Sequence, residues 1–366
     1  MKITKTLVAA VALPLLFSLA ACTGPAKTSS TGSTTTTTAA AAFNPDTDPG
    51  GQNYSDVRQS LGAVPKVAGT IKLGGVGKTF ENEYWRTLKQ GMETGAQKMS
   101  NLGGMSVTID VEAAQGENDE QGQLAIANNM INQKYSALLL SPISDANLVP
   151  AVETANAKGI PVVNVNDGII AEAPHFVGPR AIQNGELAAE WISKKLGGTG
   201  EVAVVIGMPK AFAARQRTTG FKTWMAANAP GIKIVEEQNA DWDRSKAKDL
   251  ADTWIKTHPN LKAIFCNNDD MALGVVEAVK AAGKDILVVG VDGIGEAYNS
   301  IRSGGMSATV DSFPLYKGQI AVEMTIRLLG GQQIPRVVWS PQALIDSTNV
   351  DTPAEQIIKW QDPTFK

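Results

Sequence analysis

The sequence predicts an α/β protein made of two doubly wound parallel-sheet lobes, and three observations lead there. From Gly69 onward, short β-rich apolar runs alternate with longer amphipathic stretches, as expected of parallel strands covered by helices on both faces. The runs form eight β/α units, more than one mononucleotide-sized half holds and suited to two lobes of about four to six strands. At 366 residues, 43% hydrophobic and 19% charged, the chain is long enough for two cores. A closed eightfold barrel satisfies the same alternation, and periodicity alone does not separate the two.

The expected strands run from Thr70 to Gly74, Ser106 to Glu112, Ala137 to Ser141, Pro161 to Val165, Glu201 to Ile206, Ile232 to Glu236, Ala263 to Cys266 and Ile286 to Val291. Between them, apolar residues at three- and four-residue spacing predict helices from Tyr84 to Met99, Gln121 to Asn132, Gly185 to Leu196, Ser245 to Thr257 and Ala272 to Ala282. Ahead of this region, Lys2 and Lys5 precede an apolar run from Leu7 to Ala21. That is a secretory leader, too short to span a bilayer comfortably. It ends in Leu19-Ala20-Ala21-Cys22, which resembles the bacterial lipobox. Cys22 is thus the expected lipidation site and first mature residue. Residues 23–66 are rich in Thr, Ser, Ala, Gly and Pro, so they read as a flexible tether that holds the folded part near a membrane.

The charge of −3, from 33 basic and 36 acidic residues, leaves no basic field for nucleic acid. With Cys22 lipidated, Cys266 has no disulfide partner and the fold must rest on its core. The two histidines, His175 and His258, have no metal-ligand spacing around them, so neither metal, cofactor nor catalysis is expected. One enzyme reading begins at Gly74-Gly75-Val76-Gly77-Lys78-Thr79, which looks like the end of a phosphate-binding loop. The pattern requires glycine where Lys72 stands, so it fails at its first position.

In open parallel sheets, ligands sit beyond the carboxyl ends of the strands. There the sequence places Lys78 to Trp85, Asn164 to Asp167, Asn267 to Asp270, and Asp292-Gly293. Carboxylates and amides bond hydroxyls directionally, while aromatic faces cover sugar C–H surfaces. Each Asp or Asn is equally suited to be a helix N-cap.

The stretch Ile264-Phe265-Cys266-Asn267-Asn268-Asp269-Asp270-Met271-Ala272-Leu273-Gly274, followed by Val288-Val289-Gly290-Val291-Asp292-Gly293, is the most specific signature. With Ile160 to Val163, Ala213 to Phe221, Asp241 to Arg244, and Ala308 to Val310 before Pro314, the chain resembles the periplasmic sugar-binding proteins of the ribose-binding type. The resemblance covers about Gly69 to Val350. It implies a type I periplasmic binding fold, with Asn82 and Asn268 bonding hydroxyls, Tyr84, Trp85 and Trp242 stacking on the ligand, Arg217 forking onto two of its oxygens, and Asp292 accepting from paired hydroxyls. Two departures bear on specificity. Asn166-Asp167 stands where ribose binders carry Asp-Arg, and Ser312 where the family commonly has Gln. Both positions belong to the implied site, so the ligand is expected to be a carbohydrate or polyol unlike ribose in at least one contact. Arg180 either charges the cleft or pairs with an acid at the hinge, and Arg215 reads as a solvated helix residue.

The resemblance also places crossings between lobes near Gly178 to Pro179, Ser312 to Phe313 and Ser340 to Gln342. The expected domains are then a leader (1–22), a tether (23–66), a first lobe (67–178 and 313–341) and a second lobe (179–312 and 342–366). The implied function is that of a monomeric solute-binding lipoprotein delivering its ligand to the membrane subunits of an ABC importer. An alternative keeps the fold and has it serve a chemoreceptor or sensor kinase.

Overall fold

The computed structural model describes residues 43–360. The leader, Cys22 and the tether up to residue 42 lie outside the described residues, as do residues 361–366. In chain order the first elements are β1 (Gln52–Asn53), α1 (Tyr54–Leu61), β2 (Thr70–Gly77), α2 (Glu83–Asn101), β3 (Ser106–Ala113), α3 (Glu120–Asn132), β4 (Ala137–Leu140), α4 (Val149–Ala157), β5 (Val162–Val165) and β6 (His175–Gly178). Then follow α5 (Ala181–Leu196), β7 (Thr199–Ile206), α6 (Phe212–Asn228), β8 (Gly231–Asn239), α7 (Arg244–Thr257), β9 (Leu261–Cys266), α8 (Asp269–Ala281), β10 (Leu287–Asp292), α9 (Gly295–Arg302) and β11 (Ala308–Asp311). The last are α10 (Pro314–Leu329), β12 (Val337–Trp339), β13 (Ala343–Asp346) and α11 (Ala354–Ile357).

Two open sheets result, which excludes the barrel. The first has order β1-β12-β6-β5-β4-β2-β3 and the second β13-β11-β10-β9-β7-β8. All pairings are parallel except β11 with β13. Strands β2 and β7 hold equivalent positions, where the order reverses and a crevice opens at the carboxyl ends. Central strands are buried on both faces, as in the wholly buried Leu138, Leu139 and Leu140. The chain leaves the first sheet after Gly178, returns to its first lobe after Asp311, and passes to the second sheet again between Trp339 and Ala343.

The tandem glycines at 74, 75 and 77 lie inside β2 rather than in a phosphate loop. A side chain at Gly74 would meet Met130 and Leu138, and one at Gly75 would meet Val111 and Met92. Close packing around the central strand explains these glycines without a nucleotide.

Two expected boundaries are corrected. Residues 43–66 are not a featureless tether. Tyr54 and Val57 are buried one helical turn apart, and the Tyr54 hydroxyl donates to Glu323 of α10 at 2.5 Å. Glu323 in turn accepts from the buried Arg327, which donates to the Gly62 carbonyl. The low-complexity composition ends before Phe43, and the apolar spacing beyond it is enough to dock one short helix. At the other end, β13 belongs to the second lobe as expected of residues 342–366, but the following segment returns to the first. Trp360 stacks on Tyr54 with centroids 5.5 Å apart and meets Tyr316 edge-on at 4.9 Å.

Helix pairs meet through reciprocal glycines. In the first lobe a Cβ at Gly91 of α2 would lie 2.2 Å from the Leu315 carbonyl oxygen of α10. In the second, a Cβ at Gly185 of α5 would lie 1.9 Å from the Arg217 carbonyl oxygen, and one at Gly220 of α6 would lie 2.0 Å from that of Ile182. Because the obstacles are backbone atoms, the helices themselves must part. Gly185→Ala is expected to destabilise the protein by about 1–3 kcal/mol in denaturant unfolding, and to weaken ligand binding by displacing Arg217.

Candidate ligand-binding cleft

Eight of the ten ligand residues expected from the sequence line one small cavity between the lobes: Asn82, Tyr84, Trp85, Asp167, Arg217, Trp242, Asn268 and Asp292. Asn82 and Asn268 are also helix N-caps. Asn82 Oδ1 accepts from Tyr84 N at 2.8 Å, and Asn268 Oδ1 from Met271 N at 3.0 Å. The cap and ligand readings are therefore compatible, since capping uses the oxygen and leaves the amide nitrogen. Trp85 packs edge-on against Tyr84 at 5.4 Å.

A chain of buried charges crosses from lobe to lobe. Arg217, 1% exposed, donates to the Asn267 carbonyl at 2.6 Å, to Asp292 Oδ1 at 3.2 Å and to Asp167 Oδ2 at 3.1 Å. Asp167 comes from the first lobe, and its other oxygen takes Asn166 Nδ2 at 2.9 Å and Lys78 Nζ at 3.5 Å. Burial pulls Asp167 upward, but Lys78, Arg217 and Lys317 together hold its carboxyl below the usual range. Burial wins at Asp292, whose carboxyl is pushed well up despite Arg217. For Arg217 burial acts downward, and Asp292 and Asp167 outweigh it.

Backbone strain concentrates here. Of the seven non-glycine residues with positive φ among the described residues, five are Asn166, Asp241, Trp242, Asp292 and Phe313, all at the cleft or a crossing. Asp292, at φ 134°, is held by the loop that follows. Gly293 N and Ile294 N donate to the wholly buried Asp269, whose other oxygen accepts from Thr309. Gly293 is itself required, because it sits at φ 81° and a Cβ there would strike Asp311.

Of the residues expected to set specificity, Asp167 lines the cavity, whereas Asn166 and Ser312 do not. Both are fully buried behind Tyr84. The Tyr84 hydroxyl donates to Asn166 Oδ1 at 2.5 Å and lies 3.4 Å from Ser312 Oγ. A strand end for Asn166 and the resemblance for Ser312 place them by chain position, which fixes loops but not side-chain directions.

Three further residues belong to the site. Lys78 lies 5.2 Å over the Trp85 ring and heads the strand-end stretch Lys78 to Trp85, although the resemblance gives it no ligand role. Half-buried Glu117 accepts from Trp85 Nε1 at 3.2 Å, and burial raises its pKa. Lys317, wholly buried on α10, touches Tyr84, Asn166 and Ser312. Glu117 lies beyond the carboxyl end of β3, a strand end that the expected site did not include, whereas no strand-end pattern signals Lys317.

At the rim, Arg215 is not merely a solvated helix residue. It reaches Asp145 of the first lobe at 2.5 Å, a contact that α6 alone does not reveal. Lys210 bonds Glu120 at 2.7 Å, and Gly295 N donates to Glu83 at 2.9 Å. Arg180 stays out of the cleft. It stacks 5.0 Å over Trp339 and donates to the Asp46 carbonyl behind the hinge. With these contacts made, the inner cavity is about 20 Å³, room for about one water molecule and far below the roughly 300–1,000 Å³ of a small-molecule pocket. Outside it lies a polar vestibule of about 870 Å³ between the lobes. A solute reaches the inner residues only when the lobes part.

The family model for the periplasmic binding protein domain matches residues 73–333. The chain is 35% identical to the ribose import binding protein of Bacillus subtilis, over 77% of this chain and 90% of that one. It is 36% identical to the D-allose-binding periplasmic protein of Escherichia coli, over 74% and 88%. Among solved structures it is similar to an ABC transporter solute-binding protein of Actinobacillus succinogenes with bound D-allose, at 28% identity and a TM-score of 0.70, covering 77% of this chain and all of that one. A Bacillus halodurans solute-binding protein with bound myo-inositol is similar at 26% identity and a TM-score of 0.69, over 78% and 97%. The chain belongs to the periplasmic binding protein family and is an exported, non-enzymatic binding protein of the ribose-binding type.

Proposed function

We propose that this protein captures one molecule of a sugar or polyol between its lobes and hands it to the membrane subunits of an ABC-type importer, working as a monomer anchored by lipid on Cys22. The observation that carries the reading is the Asp167–Arg217–Asp292 chain crossing the cleft between Trp85 and Trp242. Carboxylates and a guanidinium bond vicinal hydroxyls in pairs, while indole faces cover the ring's C–H surface. Arg217 Nε and Trp242 Nε1 are also buried without a partner in the protein, so two donors await an acceptor. Ligand contacts from both lobes favour the closed form, which presents a joined surface to the importer. The relatives' names for ribose and D-allose, and the D-allose and myo-inositol bound in neighbours, define the first compounds to test.

Thermal-shift measurements on a Cys22→Ser form, against aldopentoses, aldohexoses and cyclic polyols, are expected to raise Tm for one class by several degrees. No shift with any of them overturns the sugar reading. Arg217→Ala leaves two carboxylates facing each other without their shared cation. Truncating one partner of a buried charge pair costs about 2–5 kcal/mol, so calorimetry should record at least a roughly thirtyfold loss of affinity with the fold intact. For the anchor, radiolabelled fatty acid is expected to label the wild-type chain in a bacterial host and to leave Cys22→Ser unlabelled in the soluble fraction. Equal membrane retention of both forms removes the lipid from the proposal.

A further inference from the structure

Lys317 is the one fully buried lysine among the described residues, at 0% exposure, and it lies outside the cavity lining. Its ammonium donates to the Tyr84 hydroxyl at 2.5 Å, to Asn166 Oδ1 at 2.8 Å and to Ser312 Oγ at 3.2 Å. These partners come from three places: the first turn of α2, the end of β5, and the crossing after β11. An ammonium has three protons and no lone pair, so its three bonds leave nothing to spare and fix what each partner has left to offer. Asn166 Oδ1 accepts from both Lys317 and Tyr84, so the amide cannot flip, and its nitrogen is turned to Asp167. Asp167 in turn meets Arg217.

We propose that Lys317 is a positioning residue for ligand recognition: its ammonium locks the Tyr84 hydroxyl, the Asn166 amide and the Ser312 hydroxyl in one arrangement and so joins the cleft floor to the second crossing between lobes. The proposal rests on the reading of the cleft as a sugar or polyol site. A lysine without solvent is costly for the fold, because burial disfavours its charged form. Well-packed methionine satisfies the same volume at no such cost. A purely structural part is therefore poorly served by lysine at this place, whereas orientation of polar groups requires its charge and its three donors.

Burial brings Lys317 down to about 7, with Asp167, Asp292 and Asp311 opposing the shift and Arg217 adding to it. The charged form is accordingly complete below that pH and lost as pH rises through it. Asp311, at about 7, and Asp269, at about 6, also change charge nearby, so the lysine's share is the part of the pH dependence that disappears with it.

The test compares wild type with Lys317→Met, using D-allose, D-ribose and myo-inositol as probes from pH 6 to pH 8. Wild-type affinity is expected to weaken as pH rises. Lys317→Met is expected to bind about tenfold more weakly at pH 6, the range for losing hydrogen bonds to a charged group, to lose most of the slope, and to melt no lower than wild type. Affinity within twofold of wild type with the slope retained overturns the proposal, and so does an affinity loss matched by an equal loss of Tm. Should Lys317→Met not fold, two measurements decide instead. Ser312→Ala should weaken binding about threefold, on the scale of one neutral hydrogen bond, with Tm unchanged. The Asn166 side-chain amide resonance of sugar-free wild type should titrate near pH 7. A static resonance overturns the proposal even if no probe binds, and absence of binding with a titrating resonance overturns the sugar reading alone.

Discussion

Arg217 is the constraint from which the rest of the cleft follows. A guanidinium stripped of water survives only if its protons are taken up, and the fold answers with the Asn267 carbonyl and Asp292 from its own lobe and Asp167 from the other. The division matters for movement. If the lobes separate, Arg217 keeps Asn267 and Asp292, while Asp167 keeps Lys78 and Asn166. Neither charge is orphaned. On the cleft floor, the bond that opening breaks is the 3.1 Å one between Asp167 and Arg217, and water or a ligand hydroxyl can replace it on either side. Closure is thus favoured by a buried ion pair yet stays reversible, which a binding protein that must release its cargo requires.

Holding that geometry demands support that no single element supplies. Helix α6 carries Arg217 and is set against α5 by glycines at 185 and 220, whose neighbours are backbone atoms. Asp292 sits at a φ that L residues avoid, a strain of order 1–3 kcal/mol. Asp269 offsets it by accepting from the two amides that follow. Asp269 and Asp311 are themselves pushed up, to about 6 and about 7, by burial. The second-lobe floor is therefore a set of carboxyl groups that fix backbone rather than touch solute.

Much of this was legible in the sequence. All eight expected strands exist: central ones such as β4 and β10 carry continuous apolar runs because both their faces are buried, while the edge strands β3 and β8 show apolar residues at alternate positions, Val107, Ile109 and Val111 in one and Ile232 and Ile234 in the other. The strands that escaped, β1, β6, β11, β12 and β13, are two to four residues long and have no period to detect. They lie at the edges and crossings, where pairing rather than pattern makes the strand. The lining residues were legible because strand ends converge on one crevice. What was not legible is depth. Asn166 and Asp167 are neighbours, yet one is turned behind Tyr84 and the other toward Arg217, since Asn166 adopts φ 79°. Glu117 follows the carboxyl end of an expected strand and was within reach of the same rule, but Lys317 lies within a helix, so only the folded chain brings it to the site.

The ordered segment ahead of the first lobe bears on how the lobes move. Strand β1 extends the first sheet by pairing with β12, and α1 is fixed to α10 through Tyr54 and Glu323. Before them, Asp46 accepts from Ala181 N at 2.7 Å and Ile182 N at 2.8 Å, capping α5 of the second lobe. The segment thus touches both lobes, but its hold on the second is confined to the first turn of a helix that begins three residues after the first crossing at Gly178. Trp339 binds the Pro45 carbonyl beside the third crossing. Contacts this close to the pivot shift little when a domain rotates, while the rim contacts of Arg215, Lys210 and Glu83 shift most. Attachment at the rear and ion pairs at the rim therefore divide the work: the first sets the axis of rotation, and the second, together with Arg217, sets how strongly the closed position is preferred.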